Sequence, residues 1–114
     1  MNNASFNYVR TYRRRYALSE EELAFLIKQR AQSAIAQFEN GDRTPTLAQA
    51  LALQVLFGVR PHLMFPGLYE EVANDVMIRA ARLIRDLERK TDRRSVAKRE
   101  LLESLAGADN RDEV

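Results

Sequence analysis

Apolar positions recur along this chain at helical spacing, and short polar or glycine-containing turns interrupt the rhythm. Over residues 6–16, Phe6, Val9, Tyr12 or Arg13, and Tyr16 fall on one stripe, which predicts a first helix. Arg10, Arg13, Arg14 and Arg15 make that helix basic. Ser19 and Glu22 have the S-x-x-E form of a capping box, which predicts the start of a second helix. Leu23, Leu26 and Ile27 supply its buried stripe, and Ala24 permits close helix contact. Lys28-Gln29-Arg30 breaks the pattern and reads as a turn. A third helix is predicted over residues 31–39, with Ile35 and Phe38 as inward anchors three apart. Asn40-Gly41 ends it, with Gly41 suited to a left-handed terminating conformation.

Thr46 and Gln49 form a second capping-box pattern just after Pro45. The helix that follows carries Leu47, Ala50, Leu51, Leu53, Val55, Leu56 and Phe57. It is apolar on most sides, which predicts a central buried helix ending at Gly58. Pro61 starts a short fifth helix, and Pro66-Gly67 ends it. From Leu68 a helix of about twenty residues is predicted, with a stripe at Leu68, Val72, Val76, Ala80, Leu83 and Leu87, widened by Ile84. Its acidic residues lie near the start and its basic residues near the end, which complements the helix dipole. Asp92 is suited to cap a last helix carrying Val96, Leu101, Leu102 and Leu105, stopped by Gly107. The tail from Ala108 reads as frayed.

Composition narrows the function classes. At 114 residues, 46 % apolar and 30 % charged, the chain fits one globular domain with an appendage. It has no cysteine, so disulfides, thiolate metal sites and cysteine nucleophiles are excluded. No stretch approaches the roughly 20 apolar residues of a membrane span. The first residues lack the apolar core of a signal peptide. A cytoplasmic location without membrane contact is expected. The net charge is +2, and residues 1–60 hold eight Lys/Arg against five Asp/Glu, so a polyanion partner is suggested for the first half. Catalysis is not expected. Glu20, Glu21 and Glu22 are explained by a helix N-terminus, His62 stands alone, and no phosphate-cradling glycine loop or nucleophile motif is present. No cofactor, metal or small-molecule ligand is implied.

The third helix has an unusual composition. Apart from its two anchors it holds Gln32, Ser33, Ala34, Ala36 and Gln37, all small or uncharged. Such a face suits a groove lined with hydrogen-bond donors and acceptors.

Residues 6–66 resemble the Xre-type helix-turn-helix family, the five-helix domain of lambda-repressor-like and Cro-like proteins. The matching residues run in order: Arg10 and Arg13, L-S-x-E-E-L-A over 18–24, Ile35, Glu39, Gly41, Arg43, Pro45, the leucine-rich fourth helix, and G-V at 58–59. The chain departs from the pattern at Glu20, where glutamine is usual, at Arg30, usually apolar, and by one extra residue between Ala24 and Glu39. The resemblance implies an all-α fold: a five-helix DNA-binding domain over residues 1–66 and a C-terminal helical extension over 67–114. It implies that Gln32, Ser33, Ala36 and Gln37 face base edges of double-stranded DNA. Arg10, Arg14, Arg30, Asn40, Arg43 and Thr44 would lie along phosphates. Arg13 and Glu39 would form a structural pair. The long stripe from Leu68 is expected to make a homodimer, with packing on the chain's own last helix or on a foreign protein as the alternatives. The expected function is a sequence-specific transcriptional regulator that binds a palindromic operator. The alternative is a helix-turn-helix domain reused to bind proteins.

Overall fold

A computed structural model describes residues 6–108, with side chains to Leu105. The described residues are all-helical: α1 (Val9–Arg15), α2 (Glu20–Leu26), α3 (Ser33–Asn40), α4 (Leu47–Phe57), α5 (Pro61–Met64), α6 (Pro66–Leu87) and α7 (Arg93–Ala108). They contain no strand. The chain divides into two compact units, Met1–Glu71 and Val72–Val114, so the division falls inside α6. This lies a few residues beyond the 66/67 boundary read from the sequence.

The first unit is built by α1 to α5 around one core. Val9, Leu23, Ala24, Ile27, Ala34, Ile35, Phe38, Leu53 and Met64 are buried, with Tyr12, Ala52, Phe57, Val59 and Phe65 packed against them. Each large apolar side chain taken from water contributes roughly 1.5–3 kcal/mol, so these few positions supply most of the unit's cohesion. Tyr12 and Tyr16 both lie against the Phe57 ring, at centroid distances of 5.7 and 5.9 Å, which joins α1 to the end of α4. The start of the chain is tied in by backbone: Tyr8 N–H donates to the Met64 carbonyl (2.9 Å) and Gly67 N–H to the Phe6 carbonyl (3.3 Å).

Local signals explain where the helices begin. Ser19 Oγ accepts from Glu22 N–H at 3.0 Å while the Glu22 carboxylate accepts from Ser19 N–H at 2.9 Å. Thr46 and Gln49 repeat the arrangement at 3.1 Å both ways. Both capping boxes read from the sequence are present. The two hydrogen bonds with Ser19 lower the Glu22 pKa below its ordinary value. A depressed carboxyl pKa means that the box stabilises α2 above the ordinary glutamate range. The contribution is lost as pH falls through the lowered value.

Three helices end in the same way, and two of them do so without glycine. After α3, Gly41 is left-handed (φ 80°), its N–H donates to Phe38 O, and Asp42 N–H donates to Gln37 O. After α1, Ala17 (φ 55°) and Leu18 make the equivalent bonds to Arg14 O and Arg13 O. After α2, Lys28 (φ 60°) and Gln29 make them to Phe25 O and Ala24 O. A β-carbon in this conformation costs roughly 1–2 kcal/mol, which glycine avoids. Ala17→Gly should therefore stabilise the chain by about 0.5–1 kcal/mol after the extra chain entropy of glycine is subtracted. A denaturant midpoint that falls in this variant would contradict the assignment.

Several sequence expectations are corrected. The first helix covers residues 9–15 rather than 6–16, and of its stripe only Val9 is buried while Phe6 and Tyr16 are exposed. Leu26 is exposed although it shares the α2 stripe; Ile27, which caps the helix, takes the core position. The third helix is assigned to 33–40 rather than 31–39. Pro66 and Gly67 open α6 instead of separating two helices. Gly107 lies within α7. The largest correction concerns α4. It is not a central buried helix: only Leu53 is fully buried, while Leu47, Leu51 and Val55 are exposed. Its apolar character runs around the whole helix, but the rest of the first unit closes over one side. The frayed tail expected after Ala108 falls outside the described residues.

In the second unit Ala80, Leu87 and Ser95 are buried. Asp92 accepts from Ser95 N–H (3.2 Å) and from Ser95 Oγ–H (2.7 Å) at the start of α7, and these bonds lower its pKa. Arg99 Nη1 donates to the carbonyls of Leu87, which also accepts from Lys90 N–H, and of Lys90, so it closes the turn that follows α6. No helix among the described residues is long and apolar enough to cross a membrane.

Candidate nucleic-acid interface

The α3 helix is divided cleanly between two faces. Ala34, Ile35, Phe38 and Glu39 are buried, while Gln32, Ser33, Gln37 and Asn40 are exposed and Ala36 is half-buried. Helical geometry places 32, 33, 36, 37 and 40 side by side, so the residues expected to face bases share one surface. Gln32 stands at the N-cap position with helical backbone angles and no side-chain cap bond. Its amide is thus not tied to the end of its own helix.

A buried ion pair holds α3 from behind. Arg13 Nε donates to Glu39 Oε2 at 2.6 Å and Arg13 Nη2 to Glu39 Oε1 at 3.2 Å, a two-toothed pairing. The Glu39 side chain is 1 % exposed and that of Arg13 11 %. Arg13 Nη1 also donates to the Leu18 carbonyl at 3.0 Å. One guanidinium therefore joins α3 to the connection between α1 and α2. Its hydrogen bonds to Glu39 raise the Arg13 pKa, burial opposes that, and the charges of Glu39 and Glu20 add to the rise.

Arg10, expected on a phosphate, has protein partners within the chain. Its Nε lies 3.2 Å from Glu39 Oε1 and its Nη2 donates to Asn40 Oδ1 at 2.9 Å. It stays half-exposed, so the guanidinium both orients Asn40 and carries positive charge at the surface beside it. Arg43 lies with its guanidinium 5.9 Å from the Phe38 ring centre, and its backbone N–H donates to Gln37 O. Arg14, Arg30, Arg43 and Thr44 are all exposed. Ion pairs within the described residues are confined to Glu39 with Arg10 and Arg13. The cations at 14, 30 and 43 therefore have no carboxylate partner there.

Asn7 adds a tie that the sequence does not announce. Its Nδ2 donates to the Phe38 carbonyl at 2.9 Å, and its Oδ1 accepts from Val9 N–H at 3.1 Å. It satisfies the first amide of α1 and holds the last turn of α3 at once. The bond to the amide two residues on is an Asx-turn, a local habit of asparagine, but its second partner lies 31 residues away in sequence and leaves no local trace.

The expected dimer stripe is unevenly placed. Ala80 and Leu87 are buried within the single chain, Leu68 is half-buried, and Val72, Val76 and Leu83 are exposed. The first unit also has an open cavity of about 370 Å³ lined by Tyr8, Tyr12, Arg15, Val59, Arg60 and Leu63 among others. No sequence signal marks this cavity, since its walls come from α1 and the α4–α5 connection. The described residues contain no group of three or more His, Cys, Asp or Glu arranged to hold a metal ion. No protein-family model matches the chain, and neither does any curated protein or solved structure.

Proposed function

We propose that the chain is a sequence-specific DNA-binding transcriptional regulator of the lambda-repressor-like helix-turn-helix type, with α3 as the helix that enters the major groove. One observation carries this reading: α3 is fixed on its inner face by apolar packing and the Arg13–Glu39 pair, while its outer face is an uncharged row of Gln32, Ser33 and Gln37. Glutamine amides pair bidentately with adenine, and the small Ala36 beside them leaves room for a thymine methyl. Arg14, Arg30, Arg43 and Thr44 are exposed in the same unit and carry groups suited to phosphate. One short helix reads few base pairs, so the regulator acts as a dimer on a palindromic site, with Val72, Val76 and Leu83 as the exposed part of the dimer stripe.

Selection of bound sequences from a random DNA pool tests this directly, because it returns the motif and the half-site spacing together. Gln32→Ala should then weaken binding to the selected site by about 1–3 kcal/mol and leave binding to random DNA nearly unchanged. Equal losses on both DNAs would remove Gln32 from the reading surface.

A second reading is favoured by a specific feature. Phe25 on α2 and Leu47 and Val55 on α4 are 82 %, 75 % and 85 % exposed. Bare apolar side chains of this size suit a protein partner. A chain that binds proteins in place of DNA would show little DNA affinity at any salt concentration, whereas a DNA reader loses affinity steeply as salt rises.

A further inference from the structure

Positive charge is concentrated where the chain's two longest helices meet. Between Arg79 and Arg99 there are nine Lys/Arg against three Asp/Glu, in a chain whose net charge is only +2. None of the nine is ion-paired within the described residues. Only Arg99 has a visible structural task, closing the turn that follows α6. Arg79, Arg82, Arg85 and Arg89 are exposed and follow one another at spacings of three, three and four. That spacing places Arg79, Arg82 and Arg85 on the side of α6 opposite the buried Ala80 and Leu87, and Arg89 lies in the turn just past the end of the helix. At 1.5 Å per residue the helical part of the row, from Arg79 to Arg85, is about 9 Å long. Arg93 and Arg94, also exposed, follow at the start of α7, where the helix dipole disfavours cations. Like charges crowded in this way repel one another, so the arrangement costs stability unless an anion neutralises it.

Seven of the nine cations are arginines, whose planar fork matches phosphate oxygens in pairs. Residues 79–99 hold no Phe, Tyr or Trp, the side chains that anchor a basic helix in a lipid interface. We propose that this basic face of α6, together with Arg89, Arg93 and Arg94, binds the phosphate backbone of double-stranded DNA as a second binding surface separate from α3. The inference rests on DNA as the partner of this chain, and its test does not pass through the base-reading face. The basic face adds affinity without sequence preference and extends the footprint of the protein beyond the helix-turn-helix.

The test compares the full chain with a triple variant, Arg82→Gln, Arg85→Gln and Arg89→Gln. The three positions are exposed, and glutamine keeps helix propensity. Binding to a random duplex, on the order of three helical turns long, is measured across a salt series. Removing one arginine–phosphate pairing lowers the log–log salt slope by about 0.9, so the triple variant should show a slope smaller by about 2–3. The matching triple lysine variant keeps the charge and should keep the slope. Gln32→Ala should keep the slope as well and lose site preference. If the glutamine variant retains the full slope at wild-type helix content by circular dichroism, the proposal is overturned. If the wild-type chain binds phosphatidylserine vesicles but not the duplex, it is overturned in favour of a membrane surface. A slope that falls in the glutamine variant while Gln32→Ala changes nothing would uphold this surface and reject the α3 reading, so the two fail separately.

Discussion

Replacing Arg13 by alanine is expected to destabilise the chain by about 3 kcal/mol, the lower end of the range for breaking a buried pair. The cost comes from Glu39, whose carboxylate is held almost wholly out of water and would lose its two-toothed partner. Arg10 would remain 3.2 Å away and keep the loss from reaching the upper end. The Leu18 carbonyl would lose its Arg13 bond as well, so the connection into α2 should loosen. Arg10→Ala is the internal control. Its side chain is half-exposed, and exposed pairs are worth about 0–1 kcal/mol. Urea unfolding of both variants checks the contrast. A wild-type midpoint for Arg13→Ala, together with weaker DNA binding, would make Arg13 a phosphate ligand instead.

Phe38→Ala should be at least as damaging, at about 3–5 kcal/mol. Phe38 is the largest fully buried side chain of the first unit and belongs to a core cluster that draws residues from α1 to α5. Truncation removes its packing and leaves a cavity directly beneath the outer face of α3. The backbone at the same residue is clamped twice, by Asn7 and by Gly41 N–H on its carbonyl, so the helix cannot sink to fill the space. Small domains have only about 5–15 kcal/mol in total, so the variant should melt far below wild type. Phe38→Leu, which keeps most of the volume, should recover more than half of the loss. A melting temperature within a few degrees of wild type for Phe38→Ala would show that the core can collapse around the gap.

Much of the fold is legible in the sequence wherever a signal is local. The two capping boxes, the left-handed Gly41 and the helix stop at Gly58 depend on residues within one turn of each other, and all four stand as read. The inward positions Ile35 and Phe38 are legible because α3 has so few apolar residues that its buried side is unambiguous. The same logic fails on α4. With leucine, valine and alanine on every side, its sequence contains no contrast to say which side is covered. The ends of α1 and α2 are hidden for a different reason: Ala17 and Lys28 adopt a conformation that glycine normally advertises. In the candidate site, the Arg13–Glu39 pair follows from the family resemblance alone, and the pairing of Arg10 with Asn40 is invisible because both residues suit phosphate equally well. The basic stretch over 79–99 disappears when charge is counted in halves, since the acidic residues at both ends of the second half cancel it.

The separation of duties on α3 has a consequence for how this chain could change. The side chains that hold the helix lie at 34, 35, 38, 39 and 40, and those at 32, 33 and 37 take part in none of those contacts. A library randomised at these three positions should therefore contain mostly folded members. The chain is in this sense an adaptable scaffold: it can drift or be bred to new targets through single steps, without passing through unfolded intermediates and without compensating changes elsewhere.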